Sequence, residues 1–210
     1  MNQRKGNPRV FLLSPARIGG PRSNTLLRQE ADFDLAVRLR NGTATLGEAY
    51  SFISGLYFRG KMAYAEAFAN PPMSAPPALV IVPGLGLVPP QTMFDAERLR
   101  GTGSVPVEES NPAFTVPLLR DAALLDRQGG PDCRYLLLGS IATAKYTHPL
   151  LEVFGERLLF PGDFVGRGDM SRGGLMLRCA QSGEELSYVC VRGAALRGRR
   201  PEKLTPLRKK

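Results

Sequence analysis

Three unbroken apolar runs constrain this chain most: residues 9–14 (RVFLLS), 78–83 (ALVIVP) and 133–140 (CRYLLLGS). A strand with one face in water alternates apolar and polar residues. A continuous apolar run of four to eight residues fits a strand covered on both faces. Helical spacing fills the intervals between these runs. Residues 24–40 place Leu26, Leu27, Phe33, Ala36, Val37 and Leu39 on a helical period, with Ser23 or Asn24 as the N-cap and Asn41-Gly42 as the stop. Further helices are predicted over 45–54, 61–68, a short segment ending at Arg100, 114–127 and 148–154. Strands separated by helices call for crossovers and a parallel sheet. Later strands are predicted at 157–160, 175–180 and 186–192, with Gln181-Ser182-Gly183 as a tight turn between the last two. Residues 70–77, 84–90 and 101–111 read as loops or irregular chain. The expected fold is a single α/β domain over residues 1–191, mostly parallel and flanked by helices, with antiparallel strands near the C-terminus.

The formal charge of the 210-residue chain is +9. Residues 1–28 carry six basic side chains and no acidic one, and residues 192–210 carry eight basic and one acidic. The two ends hold a surplus of +13, which leaves the body between them at −4. Residues 192–210 mix Gly, Pro and charge with few core-forming side chains, so a mobile basic tail is expected there. Such a tail can neutralise phosphates without reading sequence. Mean hydropathy is −0.14, and no apolar run approaches the roughly 18 residues of a membrane helix. The expectation is a cytoplasmic protein without membrane contact.

The inventory removes several chemistries. His148 is the one histidine, and Cys133, Cys179 and Cys190 form no Cys-x-x-Cys pair, so neither a metal site nor a disulfide framework is expected. Neither a P-loop nor a Gly-x-Ser-x-Gly elbow occurs, and Gly84-x-Gly86 lacks the third glycine of a dinucleotide fingerprint. No cofactor is expected.

Three loops follow the apolar runs, where open α/β sheets bind ligands. They are Ser14-Pro15-Ala16-Arg17-Ile18-Gly19-Gly20, Pro83-Gly84-Leu85-Gly86 and the segment from Gly139 and Ser140 to Lys145 and Tyr146. Backbone amides beside Arg17, Arg22 and Lys145 make an anion cradle. Ser54-Gly55-Leu56-Tyr57-Phe58-Arg59-Gly60-Lys61 sets aromatics beside cations, so Tyr57, Arg59 and Lys61 are expected to meet a base or a phosphate. The glycine-dense stretch 166–174 is expected to be an irregular loop whose Arg167 and Arg172 hold an anion. Candidate proton-transfer groups are Asp169 and His148.

Some of these segments resemble the YaaA-type peroxide-stress proteins. Leu13-Ser14-Pro15-Ala16-Arg17 looks like their opening, Ser54-Gly55-Leu56-Tyr57 is similar to a motif they carry mid-chain, and Arg167-Gly168-Asp169-Met170-Ser171-Arg172 resembles a late segment of theirs. The tyrosine motif lies earlier here than in that family. The resemblance implies an α/β fold that binds DNA under oxidative stress, within a wider uracil-DNA-glycosylase-like group that acts near nucleobases. His148-Pro149 is only a fragment of the glycosylase His-Pro-Ser loop, so that catalysis does not carry over.

Three functions follow as expectations. The first is a nucleic-acid-binding protein, stress- or repair-related, whose basic ends grip the backbone of DNA or RNA. The second is an enzyme acting on a nucleotide, nucleoside or modified base, for which Ser14, Arg17, Gly84, Ser140, Lys145 and Arg167 must share one pocket. The third is an accessory protein recruiting an acidic partner.

Overall fold

Each of the three apolar runs forms a strand, and together they make the middle of one sheet: β1 (Arg9–Leu13), β3 (Ala78–Val82) and β6 (Arg134–Leu138). The computed structural model describes residues 6–194, 198–199, 201–202 and 204. Val10 to Leu13, Ala78 to Val82 and Tyr135 to Leu138 are buried without interruption, so both sheet faces are covered. β1 runs parallel to β3 (Phe11 opposite Ala78) and to β6 (Arg9 opposite Arg134), and β6 is parallel to β7 (Leu158–Pro161). Two antiparallel edges complete the sheet, β4 (Gly86–Val88) on β3 and β8 (Tyr188–Cys190) on β7, giving the order β4-β3-β1-β6-β7-β8. A separate two-stranded pair joins β2 (Ala44–Thr45) to β5 (Met93–Phe94).

The helices are α1 (Pro21–Leu27), α2 (Asp34–Arg40), α3 (Leu46–Ser54), α4 (Leu56–Phe68), α5 (Ala96–Gly103), α6 (Pro112–Gly129), α7 (Ala144–Phe154) and α8 (Asp169–Ser182). Thr45 and Glu48 form a reciprocal capping box at the start of α3. Among the described residues, no helix is long and apolar enough to cross a membrane.

The structure corrects several local expectations. The single helix over 24–40 is two helices, because Arg28 and Phe33 adopt extended backbone and Phe33 turns inward to stack on Phe52 at 5.3 Å. Neither Ser23 nor Asn24 caps it. Gly20 is the N-cap, while the Ser23 hydroxyl donates to the Gly20 carbonyl. Residues 86–88 form a strand rather than a loop. The largest change concerns residues 166–180, where an irregular loop and a strand were expected. From Asp169 onward they form α8, and Gly183 is its left-handed C-cap at φ 75° rather than part of a hairpin. Two glycines make this helix possible. α4 and α8 meet at Gly60 and Gly173, where a Cβ on Gly173 would sit 2.6 Å from the Leu56 carbonyl oxygen and one on Gly60 would sit 2.6 Å from the Gly173 carbonyl oxygen. The helices touch backbone to backbone, which only glycine permits.

Candidate functional site

The chain order sets where a ligand can bind. From β1 the chain crosses to β3 on one side, and later to β6 on the other, so the strand order reverses beside β1. Crevices open beyond the carboxyl ends of strands at such a switch point. A cleft of about 570 Å³ lies there, lined by residues 15–18 after β1, Pro83 after β3, Thr102 to Val107 in and after α5, and Lys145 and Tyr146 on the first turn of α7, with Tyr50 contributed by α3. Arg17 and Lys145 bring positive charge from opposite sides of the reversal. Thr143 provides no side-chain cap to α7, leaving its first-turn amides on the same side. Tyr146 is held edge-on by Phe114 at 6.1 Å. The Tyr50 hydroxyl is buried without a hydrogen-bond partner among the described residues, and burial pushes it up to about 12.

Behind the first cleft loop lies a buried polar cluster. Ser14 ends β1 and is 7% exposed, and its hydroxyl donates to the Leu138 carbonyl at 3.3 Å. Lys61 reaches it from α4 and is 1% exposed. Its Nζ donates to the Ser14 carbonyl at 2.8 Å and to the Ser14 Oγ at 2.7 Å, and it lies 3.9 Å from the centre of the Tyr57 ring one turn earlier on the same helix. Burial disfavours the ammonium and lowers it to about 7; nearby Asp169 opposes this shift and Arg172 adds to it. Among the described residues the Tyr57 hydroxyl, buried near Arg172, has no hydrogen-bond partner and is pushed up to about 12, mainly by burial. The segments around Ser14, Tyr57 and Asp169–Arg172, far apart in sequence, therefore meet around one lysine.

Other predicted positions are placed differently. Tyr57 and Lys61 are enclosed rather than presented to a ligand at the surface, because helix α4 begins at Leu56 and turns both residues inward. Arg22 and Arg59 line a separate hollow on the outer side of α3, with Arg38 and Glu48. Arg38 hydrogen-bonds Glu48 there and holds its carboxyl down at about 2. Gly84 (φ +80°) lies in the turn between β3 and β4, and Gly86 (φ +92°) begins β4. Gly86 abuts Asp121, whose carboxylate accepts from the Leu87 amide at 2.9 Å, and neither glycine lines the cleft. Ser140 accepts from the Ala142 amide at 3.3 Å. Arg167 lines a further hollow on α8 together with Ser171, Arg178 and Pro201, and donates to the Ser171 hydroxyl at 3.2 Å. Arg172 donates to the Phe164 carbonyl at 3.1 Å and packs over its ring. His148 is exposed and bonds Glu109 through Nδ1, outside the cleft. Asp169 is also exposed and lies 3.7 Å from Arg172.

Of the six residues expected to share one pocket, Arg17 and Lys145 line it and Ser14 adjoins it through Pro15. Gly84, Ser140 and Arg167 do not. Tyr50 and Thr102 line the cleft unforeseen, since helix interiors carry no local signal of which side chain reaches a distant strand end. Arg4, Lys5 and most of the basic segment 192–210 lie outside the described residues. Within that segment, the backbone of Arg199 packs on Gly166, and Arg167 donates to the Glu202 carbonyl at 3.4 Å. With the geometry established, comparison with known proteins adds no relative: no family model, no curated protein and no solved structure matches this chain.

Proposed function

We propose that the protein binds a nucleotide unit, free or within a DNA or RNA strand, in the cleft at the carboxyl ends of β1, β3 and β6. The observation carrying this reading is that Arg17 and Lys145, on the segments after β1 and β6, line one cleft together with Tyr50 and Tyr146. A guanidinium, an ammonium and uncapped helix amides suit a phosphate. Ile18, Pro106 and Val107 offer an apolar wall for a planar base, with the buried rings of Tyr50 and Tyr146 behind it. The volume fits a mononucleotide-sized ligand, within the roughly 300–1,000 Å³ of small-molecule sites. Lys145 lies in the acidic body of the chain and Arg17 among the basic residues 1–28, so the fold brings one cation from each to the same cleft.

The test is a titration of the protein with a nucleoside monophosphate and a short single-stranded oligonucleotide at fixed ionic strength. Arg17→Ala and Lys145→Ala should each weaken both ligands by roughly 10-fold or more, the scale of a hydrogen bond to a charged group. Arg59→Ala, in the outer hollow, should leave the monophosphate affinity unchanged. Equal affinity in the Arg17 and Lys145 variants would remove the reading. A second reading, a backbone grip by the chain ends, is favoured by their +13 surplus and predicts affinity for long strands without affinity for the monophosphate.

A further inference from the structure

Binding a nucleotide unit does not call for the Ser14–Lys61 pair. A buried cation without a carboxylate partner costs several kcal/mol, and among the described residues Lys61 forms no ion pair. The groups touching its Nζ are the Ser14 carbonyl and hydroxyl just after β1 and the rings of Tyr57 and Phe58 from α4, while the charges of Asp169 and Arg172 at the start of α8 act on it from farther off. Enclosed this way, the amine gives up its proton near neutral pH. An uncharged amine has one lone pair, and its geometry here leaves that lone pair one use. An Nζ–H still donates to the Ser14 carbonyl at 2.8 Å, while the 2.7 Å contact reverses and the Ser14 hydroxyl donates to nitrogen. That is the arrangement of a serine nucleophile and its base. Gly139 adds a further sign. A Cβ there would sit 3.1 Å from the Ser14 Oγ, so the end of β6 carries no side chain against the hydroxyl. Pro15, the next residue, is already part of the cleft wall.

We propose that Ser14 and Lys61 form a nucleophile–base dyad that hydrolyses a phosphate ester presented in the adjoining cleft. The substrate class rests on the nucleotide reading of that cleft, whereas the nucleophile does not. The Ser14 Oγ attacks phosphorus as its proton passes to the Lys61 Nζ. The bond from phosphorus to the ester oxygen, opposite the attacking Oγ, breaks, and the departing alkoxide takes a proton from a water molecule on its own side. The hydroxide so formed attacks the seryl phosphate in line, and the departing Ser14 Oγ takes its proton back from Lys61. The sum is ester plus water to alcohol plus phosphate, with no change of oxidation state. Arg17 and Lys145 offset the charge gathering on the non-bridging oxygens.

An alkyl fluorophosphonate tests the nucleophile directly, since the Ser14 Oγ–phosphorus bond forms as fluoride leaves. The expected result is a single adduct, mapped by mass spectrometry to Ser14, whose rate of formation rises with pH through about 7. Ser14→Ala should give no adduct. Lys61→Met and Lys61→Arg should slow it at least 100-fold, with thermal unfolding showing that each is folded. The pH profile of the unaltered protein reads the same base without any variant. Hydrolysis of bis(p-nitrophenyl) phosphate, followed as p-nitrophenolate, should be lost in Ser14→Ala. No adduct at Ser14, or one formed equally fast in Lys61→Met, would overturn the dyad. A lysine-dependent adduct without p-nitrophenolate release would overturn the phosphoester chemistry. A lysine-dependent adduct in a protein that binds no nucleotide would uphold the dyad and count against the nucleotide reading alone.

Discussion

Lys61 shows how burial converts a common surface residue into a titrating group near neutrality. In the unfolded chain its amine titrates near 10.5, and in the folded protein near 7. Between these values the unfolded state binds the extra proton, so stability rises with pH across the window. Below about pH 7 both states are protonated, and the cost of the buried ammonium is present in full. Lys61→Met removes that cost. The variant should therefore be more stable than the wild type by a few kcal/mol at pH 6, less any loss of the Ser14 hydrogen bonds, and the gap should narrow steadily from pH 7 to pH 10. The buried Tyr50 and Tyr57 hydroxyls, raised to about 12, act in the opposite sense above pH 10 and are common to both proteins. Urea unfolding of the two proteins at pH 6, 7, 8 and 9 checks this, and parallel pH profiles would show that the amine stays charged. Nothing in the sequence announces the burial. Lys61 follows two aromatics and Arg59 and looks like a solvent-facing cation, and its partner Ser14 lies 47 residues away.

At the scale of elements, continuous burial is what made the central strands legible, because residues 9–14, 78–83 and 133–140 are apolar for the same reason that they are sandwiched. α8 was illegible for the opposite reason. Its Gly173 satisfies a partner helix more than a hundred residues earlier, and local reading takes Gly173 and Gly174, being adjacent, as loop. The two glycines also differ from each other. A Cβ on Gly173 meets the Leu56 carbonyl and the Tyr57 Cα, backbone atoms that cannot move aside, whereas one on Gly174 meets, among the described residues, only the end of the Leu204 side chain at 3.4 Å. Gly173→Ala gains helix propensity of about 1 kcal/mol and loses up to about 3 kcal/mol to overpacking against backbone, for a net loss of up to about 2 kcal/mol. Gly174→Ala should stabilise by about 0.4–1 kcal/mol. Opposite shifts in thermal midpoint for neighbouring glycines would verify the α4–α8 contact. Because Tyr57 and Lys61 sit on α4 and Asp169 and Arg172 on α8, Gly173→Ala should also slow labelling of Ser14, while Gly174→Ala should not. Helix packing elsewhere explains why the cleft was only half legible. Arg17 and Lys145 follow strands and could be placed by topology, but Tyr50 and Thr102 reach the cleft through helix packing.

Over the whole molecule, charge divides into a local site and its extremities. Several arginines are spent on pairing: Arg9 of the N-terminal stretch with Glu185 at 2.6 Å and, in the body, Arg157 with Asp126 at 2.6 Å and Arg38 with Glu48 at 2.7 Å. Arg17 and Lys145 form no ion pair among the described residues, so they can meet an anion without first giving up a carboxylate. The ends hold the remaining surplus, and their contribution scales with the length of polyanion they can reach. A monophosphate engages the cleft alone. Its affinity should be unchanged when Arg197, Arg199, Arg200, Lys203, Arg208, Lys209 and Lys210 are replaced by Gln. A strand of about 20 nucleotides can meet both regions, and each phosphate neutralised on a single strand steepens the salt dependence by about 0.7 in log K against log[salt]. Replacing those seven cations should flatten the slope by several such increments, whereas Arg17→Ala should remove about one and lower affinity at every salt concentration. Fluorescence anisotropy between 50 and 300 mM salt separates the two contributions. If the tail substitutions weaken monophosphate binding as much as strand binding, cleft and ends form one site and the division fails.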